Sequence, residues 1–327
     1  MKILIIQTAF IGDVILATPI IEKLHRFFPN SVIDVLVRKG NESLLTNHPY
    51  LRQVHIWDKK QSKYTNFYKL LTTIRLEKYD LVVNVQRFLS TGVLSAFSRA
   101  KSIIGFRKNP MSMFFTKKLP HQLNGTHEVE RNLSLIQDIT DNSFQMPRLH
   151  PTKEDVQRAS EVIQSCVQAE NFVTIAPTSV WFTKQLPAEK WIELCSRFPK
   201  STSILLIGGN NDFDVCEKIK DNVNRTNIFN LCGKLNLLQS AALMSKAAMN
   251  YANDSAPIHI ASAMNAPMTA VFCSTIPKFG FTPLSAQHKI VETKETLDCR
   301  PCGLHGKKAC PKGHFKCADI IWDEYVL

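Results

Sequence analysis

Short apolar runs of the β type alternate with helical stretches along the whole chain, and this alternation restricts the possible fold most strongly. The runs lie at residues 3–6, 31–37, 54–57, 80–85 and 102–106 in the first half, and at residues 172–176, 203–207, 227–231, 247–251 and 268–272 in the second. The helical stretches between them are roughly 10–16 residues long, enough to cross over a parallel sheet. The sequence therefore predicts an α/β protein with doubly wound parallel sheets.

The alternation is interrupted once, near the middle of the chain. Residues 145–151 contain two prolines and no apolar periodicity, and a polar helix is predicted to begin near Thr152. We place a domain boundary there, with one Rossmann-like domain at residues 1–150 and a second at residues 151–327. The strand ends of the two domains are expected to face each other across a central cleft, with one substrate on each domain.

The first apolar run leads into a strand, a turn and a helix. Gly12 permits close approach of a ligand, and Asp13 places a carboxylate at the carboxyl end of the first strand, where open parallel sheets bind ligands. Asp13 is therefore either a helix cap or a catalytic base, and the local sequence leaves both interpretations open. Neither a P-loop motif nor the glycine fingerprint of dinucleotide-binding folds follows this strand, so the nucleotide site is predicted elsewhere.

Positive charge is concentrated in the first half of the chain. The 327 residues have a formal net charge of +12, and residues 1–150 alone carry 21 Lys and Arg against 11 Asp and Glu, which is +10. This asymmetry suggests an acidic substrate or an anionic membrane face as the partner, with a merely soluble basic surface as the alternative. The sequence has no interleaved aromatic stacking pattern and no helix-turn-helix signature, so nucleic acid is not expected to bind.

The apolar runs are far too short to span a bilayer, and the start of the chain does not read as a signal peptide. We therefore expect a cytoplasmic protein, in which disulfides are disfavoured. Scattered cysteines are then expected to act as small core hydrophobes, namely Cys166, Cys195, Cys216, Cys232 and Cys273.

Polar loops follow the strands of the second half. The loop after its first strand contains Thr178, Ser179 and Lys184, which suit phosphate oxygens but also fit an ordinary solvated loop. The glycine-rich turn at residues 208–214 contains Asp212, which is either a ribose contact or a helix cap. The sequence thus predicts two candidate contacts to a nucleotide in this half.

A helix start is predicted after the fourth strand of the second half. Asp254, Ser255 and Ala256 precede Pro257, a residue favoured in the first turn of a helix, and the apolar residues that follow have helical spacing. The backbone N–H groups and the positive end of the helix dipole make such a turn a site for anions, and a diphosphate suits it. His259 either lines this site or is a half-buried helix histidine.

Together these motifs resemble glycosyltransferase family 9, the ADP-heptose–lipopolysaccharide heptosyltransferases. The resemblance covers almost the whole chain and is carried by residues 11–14 with 18–19, 127–131, 176–179 with Lys184, 187–191, 207–209 and 253–263. It implies the GT-B architecture, with the acceptor bound by residues 1–150 and the nucleotide sugar bound by residues 151–327.

The resemblance also implies roles for individual residues. Asp13, next to Gly12 on the acceptor side, matches the general base, and Asp212 corresponds to an acidic contact to the donor ribose. The donor phosphates match two groups of residues, Thr178, Ser179 and Lys184 in one loop and Asp254, Ser255, Ala256, Pro257 and His259 in the other. Ala256 stands where the family usually has glycine, which leaves the donor sugar open.

The implied activity is that of an inverting glycosyltransferase. It would move a sugar, heptose from ADP-heptose, to a hydroxyl of a lipopolysaccharide-core or related acidic glycolipid, as a peripheral protein at the inner face of the cytoplasmic membrane. Asp13 would take the acceptor proton and Lys184 would stabilise the departing diphosphate, so no cofactor or catalytic metal is expected. The alternatives are a sugar-nucleotide epimerase of the same architecture and a non-catalytic protein that binds nucleotide sugars.

Four further cysteines, Cys299, Cys302, Cys310 and Cys317, lie within nineteen residues near the end of the chain. The opening C-x-x-C is typical of a tetrahedral zinc site, whereas the six residues between the last two cysteines are not. A structural zinc site is one interpretation, and free thiols or a redox-dependent disulfide are the others.

Overall fold

Each half of the chain folds around one six-stranded sheet in which every neighbouring pair of strands is parallel. The computed structural model describes residues 1–60, 63–167, 171–323 and 326. The chain divides into two compact units, Met1–His150 (unit 1) and Pro151–Leu327 (unit 2).

The elements of unit 1 are β1 (Lys2–Ile6), α1 (Ile11–Phe27), β2 (Val32–Arg38), β3 (Leu51–Trp57), α2 (Lys63–Glu77), β4 (Leu81–Asn84), α3 (Leu89–Ala96), β5 (Ser102–Phe106), β6 (Lys117–Leu119) and α4 (Glu128–Ser134). Its sheet has the order β3-β2-β1-β4-β5-β6. In β1, Ile3 pairs with Ile33 of β2 on one side and with Leu81 of β4 on the other. This central strand is apolar almost throughout because both faces of a parallel sheet are covered.

The elements of unit 2 are α5 (Lys153–Cys166), β7 (Asn171–Ala176), α6 (Ala188–Arg197), β8 (Thr202–Leu206), α7 (Phe213–Asp221), β9 (Ile228–Asn230), α8 (Leu237–Met244), β10 (Met249–Asn253), α9 (Ala256–Met264), β11 (Met268–Phe272) and β12 (His288–Glu292). Its sheet has the order β12-β11-β10-β7-β8-β9. The first strand of each unit therefore lies between the second and the fourth strand of that unit. The chain reverses its winding direction there, and such a switch point is where open α/β sheets bind ligands.

The prediction of doubly wound parallel sheets is confirmed, but two edge strands were not predicted from the sequence. β6 has only three residues, two of them lysines, and in β12 only Val291 is buried. Neither strand therefore has the continuous apolar run by which the other strands were recognised.

After β12 the chain returns to the core of unit 2. Cys317, Ile320 and Trp322 are buried there. The Trp322 ring packs 5.6 Å from that of Trp191, and its indole N–H donates a hydrogen bond of 2.9 Å to the carbonyl of Lys190. The end of the cysteine-containing segment is therefore anchored in the core. The five scattered cysteines predicted to be core residues are likewise buried.

No helix in the described part of the chain combines the length and the apolar character that crossing a membrane requires.

Candidate active site

The carboxylate of Asp13 lies in the first turn of α1, just after the carboxyl end of β1. The N-cap residue, which directly precedes the first helical residue Ile11, is Phe10, and this corrects the interpretation of Asp13 as the N-cap itself. The Asp13 side chain instead accepts a hydrogen bond of 3.1 Å from the Phe10 backbone N–H. Asp13 thus helps to close the helix start from inside the first turn, as the third residue of a capping box does.

A second carboxylate of unit 1, that of Glu128 at the start of α4, affects the pKa of Asp13. Glu128 is buried and accepts a hydrogen bond of 2.7 Å from Nε of Arg131, with Nε2 of His121 3.6 Å from the same oxygen. Burial opposes ionisation, but the interaction with His121 and the positive charge of Arg131 hold the pKa of Glu128 below its usual range. Glu128 is therefore an anion, and its negative charge disfavours ionisation of Asp13.

The environment of Asp13 raises the pKa of its carboxyl group from 3.8 to about 6. Burial is the largest cause, followed by the charge of Glu128, while the Phe10 N–H and the charge of Arg87 act in the opposite direction. A carboxylate with this pKa is mostly ionised at neutral pH and accepts a proton more readily than an ordinary aspartate. Because the folded chain binds this proton more tightly than the unfolded chain, ionisation of Asp13 lowers stability as the pH rises through about 4 to 6. This environment suits a base.

In unit 2, Lys184 and Asp254 meet at the switch point between β7 and β10. Nζ of Lys184 lies 2.7 Å from Oδ2 of Asp254, and the two side chains are 14% and 8% exposed. The hydroxyl of Thr275, which follows β11, donates a hydrogen bond of 2.6 Å to the same Asp254 oxygen. A buried carboxylate thus holds a cation that solvent, and therefore a ligand, can still reach.

Asn253 ties the loop of Lys184 to the end of β10. Its side-chain amide donates a hydrogen bond of 2.7 Å to the carbonyl of Pro177 and accepts one of 2.9 Å from the N–H of Leu186. The two contacts lie before and after Lys184 in the sequence. Asn253 was part of the family-like motif, but its bridging role depends on strand pairing and was not predicted.

α9 begins directly after Ser255, its N-cap residue, so the predicted helix start is confirmed. The Ser255 side chain makes no capping hydrogen bond to the first turn and donates to the Asn253 carbonyl at 3.2 Å instead. Ala256 and Pro257 are half-buried in the turn, whereas His259 is buried with its ring 6.4 Å from that of Phe281. The backbone groups at the helix start, with Lys184 beside Asp254, form an arrangement that attracts anions.

The remaining predicted donor residues lie in neighbouring loops. Thr178 and Ser179 are half-buried after β7, where the Ser179 carbonyl accepts a hydrogen bond of 2.8 Å from the Gln185 side chain. Asp212 accepts a hydrogen bond of 2.7 Å from the Gly209 N–H, which is a capping contact. Contact of Asp212 with a ribose stays a prediction.

The cysteine segment, residues 299–317, packs against the loop that carries Lys184. The Thr183 N–H donates a hydrogen bond of 3.1 Å to the Lys307 carbonyl, and the Lys307 N–H donates one of 2.8 Å to the Thr183 hydroxyl. Gly306 lies so close that a Cβ there would be 2.9 Å from Cγ of Lys184. The segment therefore supports the position of Lys184, a link that sequence spacing does not reveal.

The thiols of this segment are close enough to affect one another's pKa, but they are not gathered into a metal-binding cluster among the described residues. Burial, together with the charges of neighbouring thiols, raises the pKa of Cys317 to about 11. Burial opposes ionisation of Cys310, but backbone N–H groups of the turn that follows lower its pKa. Sγ of Cys299 lies 3.8 Å from Nε2 of His314. In the part of the chain that the structure describes, no three of these thiols lie within 4.8 Å of one another.

The whole fold is shared with solved glycosyltransferases. The ADP-heptose lipopolysaccharide heptosyltransferase II of Escherichia coli matches with a TM-score of 0.79 and 19% identity, over 92% of this chain and 96% of that one. A family 9 glycosyltransferase from Veillonella parvula matches with a TM-score of 0.81 and 22% identity, over 89% of this chain and 86% of that one. The fold is therefore that of the GT-B glycosyltransferases, as predicted.

Within that class, the chain belongs to glycosyltransferase family 9 (heptosyltransferase), whose family model matches residues 67–311. Lipopolysaccharide heptosyltransferase 3 of Escherichia coli is 27% identical over 277 residues, which are 81% of this chain and 82% of that protein. The resemblance stated from the motifs and the prediction of a glycosyltransferase are both confirmed.

Proposed function

We propose that this protein is an inverting heptosyltransferase that transfers heptose from ADP-heptose to a hydroxyl of a lipopolysaccharide core. The names of its relatives support the donor and the acceptor class. The observation that carries the proposal is the Lys184–Asp254 pair beside the start of α9, because a held cation and a helix N-terminus suit a diphosphate. Unit 2 holds the donor and unit 1 holds the acceptor.

In the proposed reaction the acceptor oxygen attacks the anomeric carbon of the heptose. A carbon–oxygen bond forms as the bond to the diphosphate breaks, and configuration inverts because the attack is from the opposite side. Asp13 takes the proton of the acceptor hydroxyl, and ADP leaves with both bonding electrons. Lys184 and the first turn of α9 stabilise the negative charge that develops on the departing diphosphate.

Different residues of unit 2 are proposed to bind different parts of the donor. Thr178 and Ser179 offer hydroxyl donors to phosphate oxygens, and Asp212 is available to the ribose hydroxyls. Asp254 is an anion and would repel a diphosphate, so its role is to hold Lys184 in place with help from Thr275.

Incubation with ADP-heptose, with and without a truncated lipopolysaccharide acceptor, tests the function. Release of ADP that depends on the acceptor, together with a product heavier by one heptose, is the expected result. Conversion of the donor sugar without acceptor would identify an epimerase instead. Binding of the donor without any turnover would identify a non-catalytic protein.

The acceptor is amphiphilic, and unit 1 has a surface that suits it. Apolar residues are exposed at the start of α3 and in the segment after β5, where the Asn109 amide donates a hydrogen bond of 3.1 Å to the Phe88 carbonyl. Phe88, Met113 and Phe114 are 61%, 74% and 56% exposed, and the basic Arg107 and Lys108 of this unit are exposed nearby in the sequence. We propose that this surface docks the protein on the acidic glycolipid at the inner face of the membrane.

Binding to vesicles that contain anionic lipid is expected to weaken as salt rises from low to physiological concentration, because salt screens the positive charge of unit 1. Co-sedimentation measures this binding. Phe114→Ser should weaken binding at every salt concentration, whereas the same change at Phe213, exposed in unit 2, should have no effect. Association that does not depend on salt would show that the charge serves only solubility.

We also propose that the cysteine segment holds a structural zinc ion through Cys299, Cys302, Cys310 and Cys317. Four thiols are a donor set that zinc prefers, and the backbone N–H groups around Cys310 already favour its thiolate. Zinc would draw the four thiols together. Because the segment packs on the loop of Lys184, the ion would also stabilise the donor site.

Alkylation of the native protein, read by mass spectrometry, tests the zinc site. Bound zinc should protect Cys299, Cys302 and Cys310, and a strong chelator should make them reactive, since a coordinated thiolate is not available as a nucleophile. Cys195, which is fully buried, is the internal reference and should stay unreactive in both states. Equal reactivity with and without chelator would favour free thiols.

A further inference from the structure

A second group of potential metal ligands lies in unit 1, away from Asp13. One ligand atom each from Glu22, His48 and His150 lies within 4.8 Å of the other two. Oε1 of Glu22 is 2.8 Å from Nε2 of His150 and 3.5 Å from Nε2 of His48, and the two imidazole rings are 4.6 Å apart. These residues come from α1, from the connection between β2 and β3, and from the last position of unit 1, so the fold brings them together from three places.

The most informative atom of this group is Nε2 of His48. It is buried and has no hydrogen-bond partner among the residues that the structure describes, and the His48 side chain is only 1% exposed. Burial, and then the charge of His150, lower the pKa of His48 to about 4, so its ring is uncharged at neutral pH. A buried polar atom without a partner carries a desolvation cost, which a bound ligand would remove.

Glu22 supplies the negative charge of the group. Burial opposes its ionisation, but the hydrogen bond with His150 and the charges of His150 and Arg148 lower its pKa. One carboxylate and two imidazoles are a ligand set that Zn²⁺ binds, and it contains no thiolate. Ligands about 2 Å from a tetrahedral zinc are roughly 3.3 Å from each other, which is close to the 3.5 Å between Glu22 and His48.

We propose that Glu22, His48 and His150 bind a Zn²⁺ ion, with water in the fourth position. Two contacts oppose this arrangement. The hydrogen bond of 2.8 Å between Nε2 of His150 and Oε1 of Glu22 would be replaced by bonds to the metal. In addition, the Tyr50 N–H lies 3.4 Å from Nδ1 of His48. That long hydrogen bond would be lost when the ring proton moves to Nδ1 to free Nε2 for the metal. The Tyr50 ring covers the group from one side, with its centroid 5.7 Å from that of His48 and 6.3 Å from that of His150.

The ion would cross-link the end of unit 1 to its own core. Glu22 is in the buried part of α1, and His150 is the last residue before unit 2 begins. Binding energy gained only in the folded chain appears as stability, so zinc should stabilise unit 1. This inference does not depend on the proposed transferase activity.

The test uses the full chain, stripped with a chelator and then titrated with Zn²⁺ or Co²⁺. Cobalt should give, besides any thiolate absorption from the cysteine segment, the spectrum of a site with nitrogen and oxygen ligands. Loss of a residue that only hydrogen-bonds to a metal ligand weakens metal binding by roughly 10- to 100-fold, and His150→Gln, which removes a ligand, should weaken binding at this site by more than that. The variant should also show a smaller rise in melting temperature when Zn²⁺ is added. His150 is suited to this change because its side chain is 26% exposed.

His48→Gln is the second variant and should have the same effect, while His288→Gln is the matched control. His288 is exposed in β12 of unit 2, where its ring donates a hydrogen bond to the Ser285 carbonyl. The His288→Gln variant should therefore bind metal as the unaltered protein does. The proposal is overturned if His150→Gln binds zinc with unchanged affinity and stoichiometry. It is equally overturned if His288→Gln loses as much binding as His150→Gln, or if cobalt shows thiolate ligation alone.

Discussion

Replacement of Asp13 by Asn is expected to lower kcat by about 10²–10⁴-fold, the usual contribution of a positioned general base. Asn keeps the shape of the side chain and an oxygen that can accept the Phe10 N–H hydrogen bond, but it cannot take a proton from the acceptor. The affinity for the donor should change little, because the residues that we propose bind the donor belong to unit 2. Steady-state kinetics with a saturating acceptor, together with donor binding by calorimetry, measure both quantities.

Asp155→Asn is the matched control, since Asp155 occupies the same position in the first turn of α5 and accepts a hydrogen bond of 3.0 Å from the Thr152 N–H. It should affect stability alone. A pH profile adds a second check. With a pKa of about 6 for Asp13, kcat/KM should rise as the pH increases through 6 and then level off, because the ionised form is the base. If Asp13→Asn melts earlier while its folded fraction turns over normally, Asp13 serves only the helix start.

Replacement of Lys184 by Ala is expected to lower kcat/KM by about 10²–10³-fold. This loss corresponds to a few kcal/mol of transition-state stabilisation. The substitution removes the cation that we propose neutralises the departing diphosphate, and it leaves the buried Asp254 carboxylate without its ion pair. Asp254→Asn should cause a smaller loss, since Lys184 would keep its charge and lose only its anchor. Initial rates with the correct donor measure both effects.

The matched control for Lys184 is Lys246→Ala. Lys246 is exposed just before β10, at the opposite end of that strand from Asp254, and its removal should leave the rates unchanged. Unchanged kcat/KM in Lys184→Ala would contradict the assignment of the diphosphate site. A loss of the same size in both lysine variants would contradict it as well, because the effect would then reflect net charge.

Central strands and helix starts were predictable because their signals are local. Residues 3–6 are apolar on both faces, and Ser255 with Pro257 marks the start of α9 through the geometry of a single turn. Edge strand β6 gave no such signal, since two of its three residues are lysines and none of the three is buried. The strand at residues 247–251 was predicted two positions too early, because the polar Asn253 at the end of β10 did not fit an apolar pattern.

The electrostatics of the candidate site were not predictable in the same way. Asp13 and Glu128 are 115 positions apart, and only the folding of α4 near α1 lets the charge of one raise the pKa of the other. Lys184 and Asp254 were each proposed as phosphate ligands, but their pairing depends on the adjacency of β7 and β10. The sequence thus indicated the residue types, whereas the partners of each residue follow from tertiary contacts.

Both sheets have the same strand order, yet the chemistry of the two units is different. The groups that set the pKa of Asp13 all lie within residues 10–128, and those that hold Lys184 lie within residues 177–307. On the proposed assignment, acceptor choice and donor choice are inherited on separate stretches of the gene. A lineage can therefore adapt to a new acceptor by mutation in the first half, or by recombination after codon 150, while its use of the donor stays as it was.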